Sequence, residues 1–258
     1  MIPVRPDWWK TLFDELYLVT DARSVCDEAL TSKEVDFLEA LLVPKKSDRI
    51  LDLCGGQGRH SLGLAKRGYT RLTVFDYSEV LLKKGKSNAA QAKTPVRFLR
   101  GDAREAGFAA DTFDLVLIMA NSFGYFPDEK DNIKILKEAY RVLSPGGTIL
   151  VDLIDSDYAI HSFQPGSWHQ ATEDIVVCRQ REMENGLLRV REMVLSKSGG
   201  MIRDAAYCER VYREQDIRSI LESVGFSDIS AIRNYSPHAL PGDYGCMTNR
   251  MIVTARHP

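Results

Sequence analysis

Between residues 49 and 154 short apolar runs alternate with amphipathic ones, and few folds accommodate that rhythm. Strand-like runs fall at 49–54, 71–76, 96–100, 114–119 and 148–154. Helical runs at 58–67, 78–91 and 128–143 separate them. The last places Ile133, Leu136, Tyr140 and Leu143 on one face, and Ser144-Pro145-Gly146-Gly147 stops it. A repeat of strand, helix and strand implies a parallel sheet covered by helices on both faces.

The flanks read differently. Trp8, Trp9, Leu12, Phe13, Leu16 and Tyr17 recur at helical spacing, which predicts an amphipathic helix over 7–19. A second helix is expected over 31–42, with Thr31 and Glu34 as a capping box and Val35, Leu38, Leu41 and Leu42 as its apolar face. From about Asp174 the helical signal lapses. Residues 175–181, 187–195 and 202–212 read as three strands, separated by Asn185-Gly186 and Ser198-Gly199-Gly200. Lying between the fifth parallel strand and the next helix, this meander is expected as an antiparallel flap over the carboxyl edge, where ligands bind in open α/β sheets. A helix at 214–223, ended by Gly225, and strands at 227–233 and 250–255 follow.

The fold class is therefore α/β: Rossmann-like, doubly wound, with a mostly parallel seven-stranded sheet, N-terminal helices and an antiparallel β-insertion. One domain is expected over 1–258. Its parts are a helical cap (1–45), a cofactor-binding core (46–170), the flap (171–212) and the C-terminal part of the core sheet (213–258).

Composition narrows the function classes. Lys+Arg number 34 against 36 Asp+Glu, and a net charge of −2 lacks the basic footprint of a nucleic-acid binder. The longest apolar stretch, 115–120, is too short to span a bilayer, and MIPVRPDWWK has no apolar signal-peptide core. Cys26, Cys54, Cys178, Cys208 and Cys246 are odd in number and lack CxxC spacing, which speaks against a disulfide framework and suits a reducing cytoplasm. His161, His169 and His238 fit no zinc spacing, so no metal is expected.

The segment from Ile50 to His60 joins a strand to a helix through Cys54-Gly55-Gly56-Gln57-Gly58. Such a turn brings backbone close to a ligand at a positive helix terminus, although any tight strand-to-helix turn also wants glycine. Asp76 ends the next strand, where a carboxylate can accept both hydroxyls of a ribose or simply cap the helix from Ser78. Together they point to an adenosine-type cofactor, either NAD or S-adenosylmethionine (SAM).

Three further segments favour SAM. Arg100-Gly101-Asp102-Ala103 follows the third strand, Phe113-Asp114-Leu115-Val116 is the fourth, and Arg141-Val142-Leu143-Ser144-Pro145-Gly146-Gly147 precedes the fifth. In this order, from about Asp48 to Leu153, the chain resembles the class I SAM-dependent methyltransferases. More weakly, Ser122-Phe123-Gly124-Tyr125-Phe126, the inserted strands and Val211-Tyr212-Arg213 resemble a small-molecule subgroup with a β-flap.

That resemblance implies roles. Gly56 and Gly58 would pass backbone under the methionyl part of SAM, and Asp52 would orient the loop and reach the amino group. Asp76 would hold the ribose, Tyr77 would lie against adenine, and Asp102 with the Ala103 N–H would read the adenine edge. Asn121 would turn its carbonyl to the methionyl amine, while Tyr17 and Arg59 would meet the carboxylate. Cys54 departs from the pattern, standing where the family has its first glycine.

Methyl transfer asks chiefly for alignment, because the sulfonium already activates the methyl. A hydroxyl acceptor also needs a base, for which His161, His169, Asp155 and Tyr207 are candidates. Trp8, Trp9, Phe13, Phe123, Tyr125, Tyr158 and Trp168 are candidate pocket walls. The expected partner is a small-molecule acceptor, with no nucleic acid and no membrane, and a homodimer stays open. The expected activity is transfer to a nitrogen or oxygen of that acceptor. An RNA-modifying methyltransferase, a nicotinamide dehydrogenase and a non-catalytic SAM-binding module are the rival readings.

Overall fold

The computed structural model describes residues 1–238 and 245–258. Seven strands form the main sheet: β1 (Ile50–Leu53), β2 (Leu72–Asp76), β3 (Val96–Arg100), β4 (Phe113–Ile118), β5 (Leu143–Ile154), β10 (Ser227–Tyr235) and β11 (Arg250–Arg256). Their order is β10-β11-β5-β4-β1-β2-β3. β11, between β5 and β10, runs antiparallel to both. The doubly wound, mostly parallel architecture is as expected.

Central strands are apolar throughout because both faces are covered. All four residues of β1 are buried, and so are the first four of β2. On one face α3 (Glu28–Leu42), α4 (Arg59–Lys66) and α5 (Glu79–Ala92) pack through Val35, Leu38, Leu64, Leu82 and Ala89. On the other, α6 (Glu129–Val142) and α8 (Glu214–Val224) pack through Ile135, Leu136, Ile217 and Leu221. From β1 the chain moves outward to β3, then returns to the other side of β1 for β4. That reversal opens a crevice at the carboxyl ends of β1 and β4, the position where open α/β sheets take ligands.

The insertion forms a second sheet, ordered β6-β7-β8-β9, from β6 (Gly166–Gln170), β7 (Ile175–Glu184), β8 (Leu187–Ser196) and β9 (Gly200–Arg210). It has four strands where the sequence pattern showed three. The missed strand, β6, is short and largely polar, and it pairs Trp168 with Cys178 at the edge of the sheet. A short α7 (Ser156–His161), capped by the Asp155 carboxylate, leads into it.

The N-terminal region differs most from expectation. Instead of one helix over 7–19 there is a 3-10 turn at Trp8–Lys10, then α1 (Tyr17–Thr20) and α2 (Ala22–Val25). Adjacent Trp8 and Trp9 serve different partners: Trp8 lies 5.6 Å from Tyr207 of the insertion, Trp9 4.7 Å from Tyr77 of the core. The Asp14 carboxylate accepts the Tyr17 N–H at 3.1 Å, a local turn that competes with helix, and pairs with Arg203. Aromatic packing here overrides helical periodicity. The segment is a strap across the crevice, tied to the insertion by Arg179–Asp21 at 2.8 Å and by Ile2 N–H donating to Glu182 at 2.6 Å.

Helix α3 starts three residues before the expected Thr31. Asp27 is its cap, accepting the Leu30 N–H at 2.9 Å. Glu34 is not a capping-box partner; it is buried among arginines, as described below. Among the described residues no helix is long and apolar enough to cross a membrane.

Candidate functional site

The glycine turn is shaped around Asp52. This residue is fully buried on β1, and its Oδ2 accepts the Ser61 hydroxyl at 2.8 Å. Its Oδ1 has no hydrogen-bond partner among the described residues, yet the side chain borders the crevice. A buried, unpartnered carboxylate oxygen facing a cavity suits an ammonium group, so the site fits the methionyl end of SAM. Gly55 is required beside it, because a Cβ there would stand 2.6 Å from Asp52 Cγ. Gly56, at φ +56, gives its N–H to Asp76 Oδ2 at 2.8 Å. Gly58 does not line the crevice; its missing side chain lets the start of α4 pack on Val74 and Phe98. Cys54 borders the crevice in a left-handed conformation, φ 59, and burial pushes its thiol up, so it stays protonated.

Asp76 closes the ring. Its Oδ1 accepts the Ser78 N–H at 2.8 Å while Oδ2 holds Gly56, so one carboxylate fixes both the glycine turn and the start of α5. Tyr77, Asp102 and Ala103 line the same crevice. Burial acts against the Asp102 charge, but the Arg104 guanidinium (2.7 Å) and backbone N–H (3.0 Å) hold its carboxyl low. Trp9, Phe13 and Tyr17 of the strap and Ala120, Ser122 and Tyr125 after β4 form the opposite wall.

Burial pushes the Asp76 carboxyl up to about 6 despite its backbone donors, and burial raises Asp52 as well. In the ribose-binding role that the resemblance implies for Asp76, only the ionised carboxylate could accept two hydroxyls. With a folded-state value raised to about 6, the ligand-free protein takes up a proton as pH falls through 6, and cofactor must displace it. SAM affinity should therefore be full above pH 7 and weaken roughly tenfold by pH 5. Calorimetric titration at several pH values checks this; a flat profile would contradict it.

A second cavity opens against the first. It is enclosed by the strap, the end of β4 and the inner face of the insertion, and Tyr207 lines it. Asn121 lines this cavity rather than the first; its side chain donates to Glu209 and accepts the Ile154 N–H at 3.1 Å. Tyr17 and Arg59 border both cavities, with Arg59 Nη1 already engaged by Glu34 and by Thr31 at 3.0 Å.

The other candidate bases stand elsewhere. His161 is on the exposed end of α7, bonded to the Asp157 carbonyl at 2.7 Å. His169 is on β6, 3.0 Å from the Thr20 carbonyl, and neither ring lines a cavity. Asp155 is committed to capping α7 and to Arg233, 2.6 Å away. Trp168 is 70% exposed and Phe123 is core, so neither walls the site; Tyr158 also lies outside both linings. Glu209 was missed by sequence reasoning. Burial pushes its carboxyl up to about 7, and it borders the second cavity one alternation beyond Tyr207 on β9. Period-two spacing from Tyr207 is the signal that finds it.

Residues 50–147, which carry the glycine turn, Asp76 and Asp102, match the family described as methyltransferase domain. Residues 50–147 thus form a methyltransferase domain of the class I SAM-dependent kind. The putative methyltransferase YqeM of Bacillus subtilis (strain 168) is 34% identical over 156 residues, 59% of this chain and 62% of its own length. A glycine/sarcosine N-methyltransferase of Aphanothece halophytica is 28% identical over 80% of this chain and 77% of its own. A ubiquinone/menaquinone biosynthesis C-methyltransferase of Roseobacter denitrificans is 37% identical over 43% of this chain and 44% of its own. The first of these matches thus spans under two thirds of the relative. In fold, a SAM-dependent methyltransferase from Clostridium acetobutylicum ATCC 824 superposes with a TM-score of 0.73 over 93% of this chain and 96% of its own, at 17% identity. The methyltransferase core is shared with the relatives, whereas the strap and insertion that enclose the second cavity lie outside the matched domain.

Proposed function

We propose that this methyltransferase moves the methyl of SAM to a nitrogen or oxygen of a small molecule held in the second cavity. One observation carries the reading: Phe13, Tyr17, Val25, Arg59, Ala120 and Tyr125 line both cavities, so the two meet. When bound, SAM supplies a methyl already activated by the positive sulfonium. The protein's task is then placement. Asp76 and Asp102 hold the nucleoside end, while the glycine turn runs under the methionyl part and Asp52 receives the amino group. The strap and the insertion close over the junction, exclude water and fix the line of approach.

Enclosure from both sides favours a small acceptor over a polymer, and a net charge of −2 offers no electrostatic reason to bind a polyanion. Similarity over 80% of the chain to a protein named as an N-methyltransferase supports nitrogen among the acceptor atoms. The test supplies methyl-labelled SAM with low-mass amines and alcohols, and separately with RNA and protein. Label should pass to the former. Transfer to a polymer, or to carbon only, would overturn the reading.

A further inference from the structure

The insertion turns one face into the second cavity, and strand register determines which side chains stand there. Arg181, Val190 and Tyr207 are cross-strand partners, and one alternation along Leu188 pairs with Glu209 on the same face. Two arginines reach the cavity from β7, and they are not alike. Arg179 is spent on Glu192 at 2.7 Å and on Asp21 at 2.8 Å. Arg181 makes no ion pair or side-chain hydrogen bond with any described residue, although it is half-buried. It exerts a longer-range attraction on Glu209. A half-buried guanidinium in a cavity wall that pairs with none of the described residues is suited to receive an anion.

Glu209 stands at the other end of this arrangement. Asn121 Nδ2 donates to its Oε2, and the other carboxylate oxygen makes no hydrogen bond to the described residues. Asn121 directly follows Ala120, which borders both cavities, so Glu209 lies toward the junction. The charged groups acting on it are Arg181, Arg179 and Asp21, with Tyr207 beside it on β9.

Resting on the methyl-transfer reading above, we propose that the acceptor carries a carboxylate or phosphate that pairs with Arg181, and presents its N–H or O–H to Glu209. The step balances. The acceptor lone pair forms the bond to the methyl carbon as the C–S bond breaks, and that electron pair stays on sulfur. The proton released from nitrogen or oxygen passes to the Glu209 carboxylate and then to solvent. S-adenosylhomocysteine and the methylated anion leave.

The test uses full-length protein loaded with S-adenosylhomocysteine and titrated with acetate, inorganic phosphate, glycine and phosphoethanolamine. One anion class should bind, carboxylate or phosphate, and so identify the source. Its ammonium-bearing member should bind more tightly than the bare anion. Arg181→Met should weaken that binding at least tenfold, and Arg181→Lys less, with S-adenosylhomocysteine affinity unchanged in both as the control for folding. Glu209→Gln should remove the advantage of the ammonium-bearing probe while leaving the bare anion bound. If neither anion binds the loaded protein, or if Arg181→Met binds it as wild type does, the inference is wrong. Failure of S-adenosylhomocysteine itself to bind would instead overturn the methyl-transfer reading.

Discussion

Asp76→Ala should raise the dissociation constant for SAM by at least about 30-fold, the equivalent of about 2 kcal/mol. In the proposed binding mode the carboxylate accepts both ribose hydroxyls, and hydrogen bonds to charged groups are worth roughly 1.5–3 kcal/mol each. The loss has a second part. In the folded protein the same carboxylate holds the N–H groups of Gly56 and Ser78, each at 2.8 Å. Alanine leaves both donors without that acceptor and frees the glycine turn at φ +56, so the turn no longer waits in its binding shape. Asp76→Asn separates the parts, since its one carbonyl can still accept a backbone donor but it carries no charge for the ribose. Titration calorimetry on both variants should rank them wild type, Asn, Ala. Equal affinity in Asp76→Ala and wild type would remove the nucleoside from this end of β2.

How much of this was legible beforehand depended on the range of the interaction. The β1–β5 core was readable because burial on both faces writes itself as local apolar runs; Asp76 ends such a run, Asp52 interrupts one just before the glycine turn, and Asp102 follows the third strand by two residues. The strap was not. Trp8 and Trp9 are neighbours in the chain but face Tyr207 and Tyr77, about 200 and 70 residues away in sequence, and no periodicity encodes two divergent partners. β6 carries too few apolar residues to announce a strand and relies on pairing with β7. The His161 and His169 candidacies rested on residue type alone, and both rings lie outside the cavities. Glu209 was passed over because an acidic residue on a half-exposed strand ordinarily faces water. Its partner Asn121 lies 88 positions away.

Glu34 shows the same limit most sharply. Three residues after Thr31 it has the spacing of a capping box, yet it is 1% exposed and lies between two guanidiniums and an imidazole. Its carboxylate accepts from Arg59 and Arg250, and His60 Nε2 is 3.0 Å away. Burial alone would raise its carboxyl, but Arg59, His60 and Arg250 together hold it well below the usual carboxylate range. The Arg250 contact spans 216 positions. Charge patterning read along one helix cannot see it.

The second large effect follows from that cluster. Arg250 is 1% exposed and bridges Glu34 to Asp152, with Nη1 2.7 Å from Asp152 Oδ2. Arg250→Met should lower stability by about 3–5 kcal/mol, because it leaves two buried carboxylates without their shared cation. For a chain of this size that is roughly 10 °C in melting temperature. Arg250→Lys should fall between, since one ammonium cannot present the planar fork that serves both acceptors. The damage should not stop at stability. Asp152 Oδ2 also accepts the Ala120 N–H at 2.8 Å, and its backbone carbonyl accepts that of Asn121 at 3.0 Å. Ala120 and Asn121 both hold left-handed backbone, φ 54 and φ 56, a conformation that costs non-glycine residues energy and persists only where neighbours enforce it. The cluster is that enforcement, and the two residues it holds form the edge where the cofactor crevice meets the second cavity. Arg250→Met assayed well below its melting point should therefore lose turnover more than SAM affinity, because Asp76 and Asp102, proposed to hold the nucleoside, belong to other strand ends than the one it disturbs. Loss of stability with turnover intact would leave the cluster as support for the sheet alone.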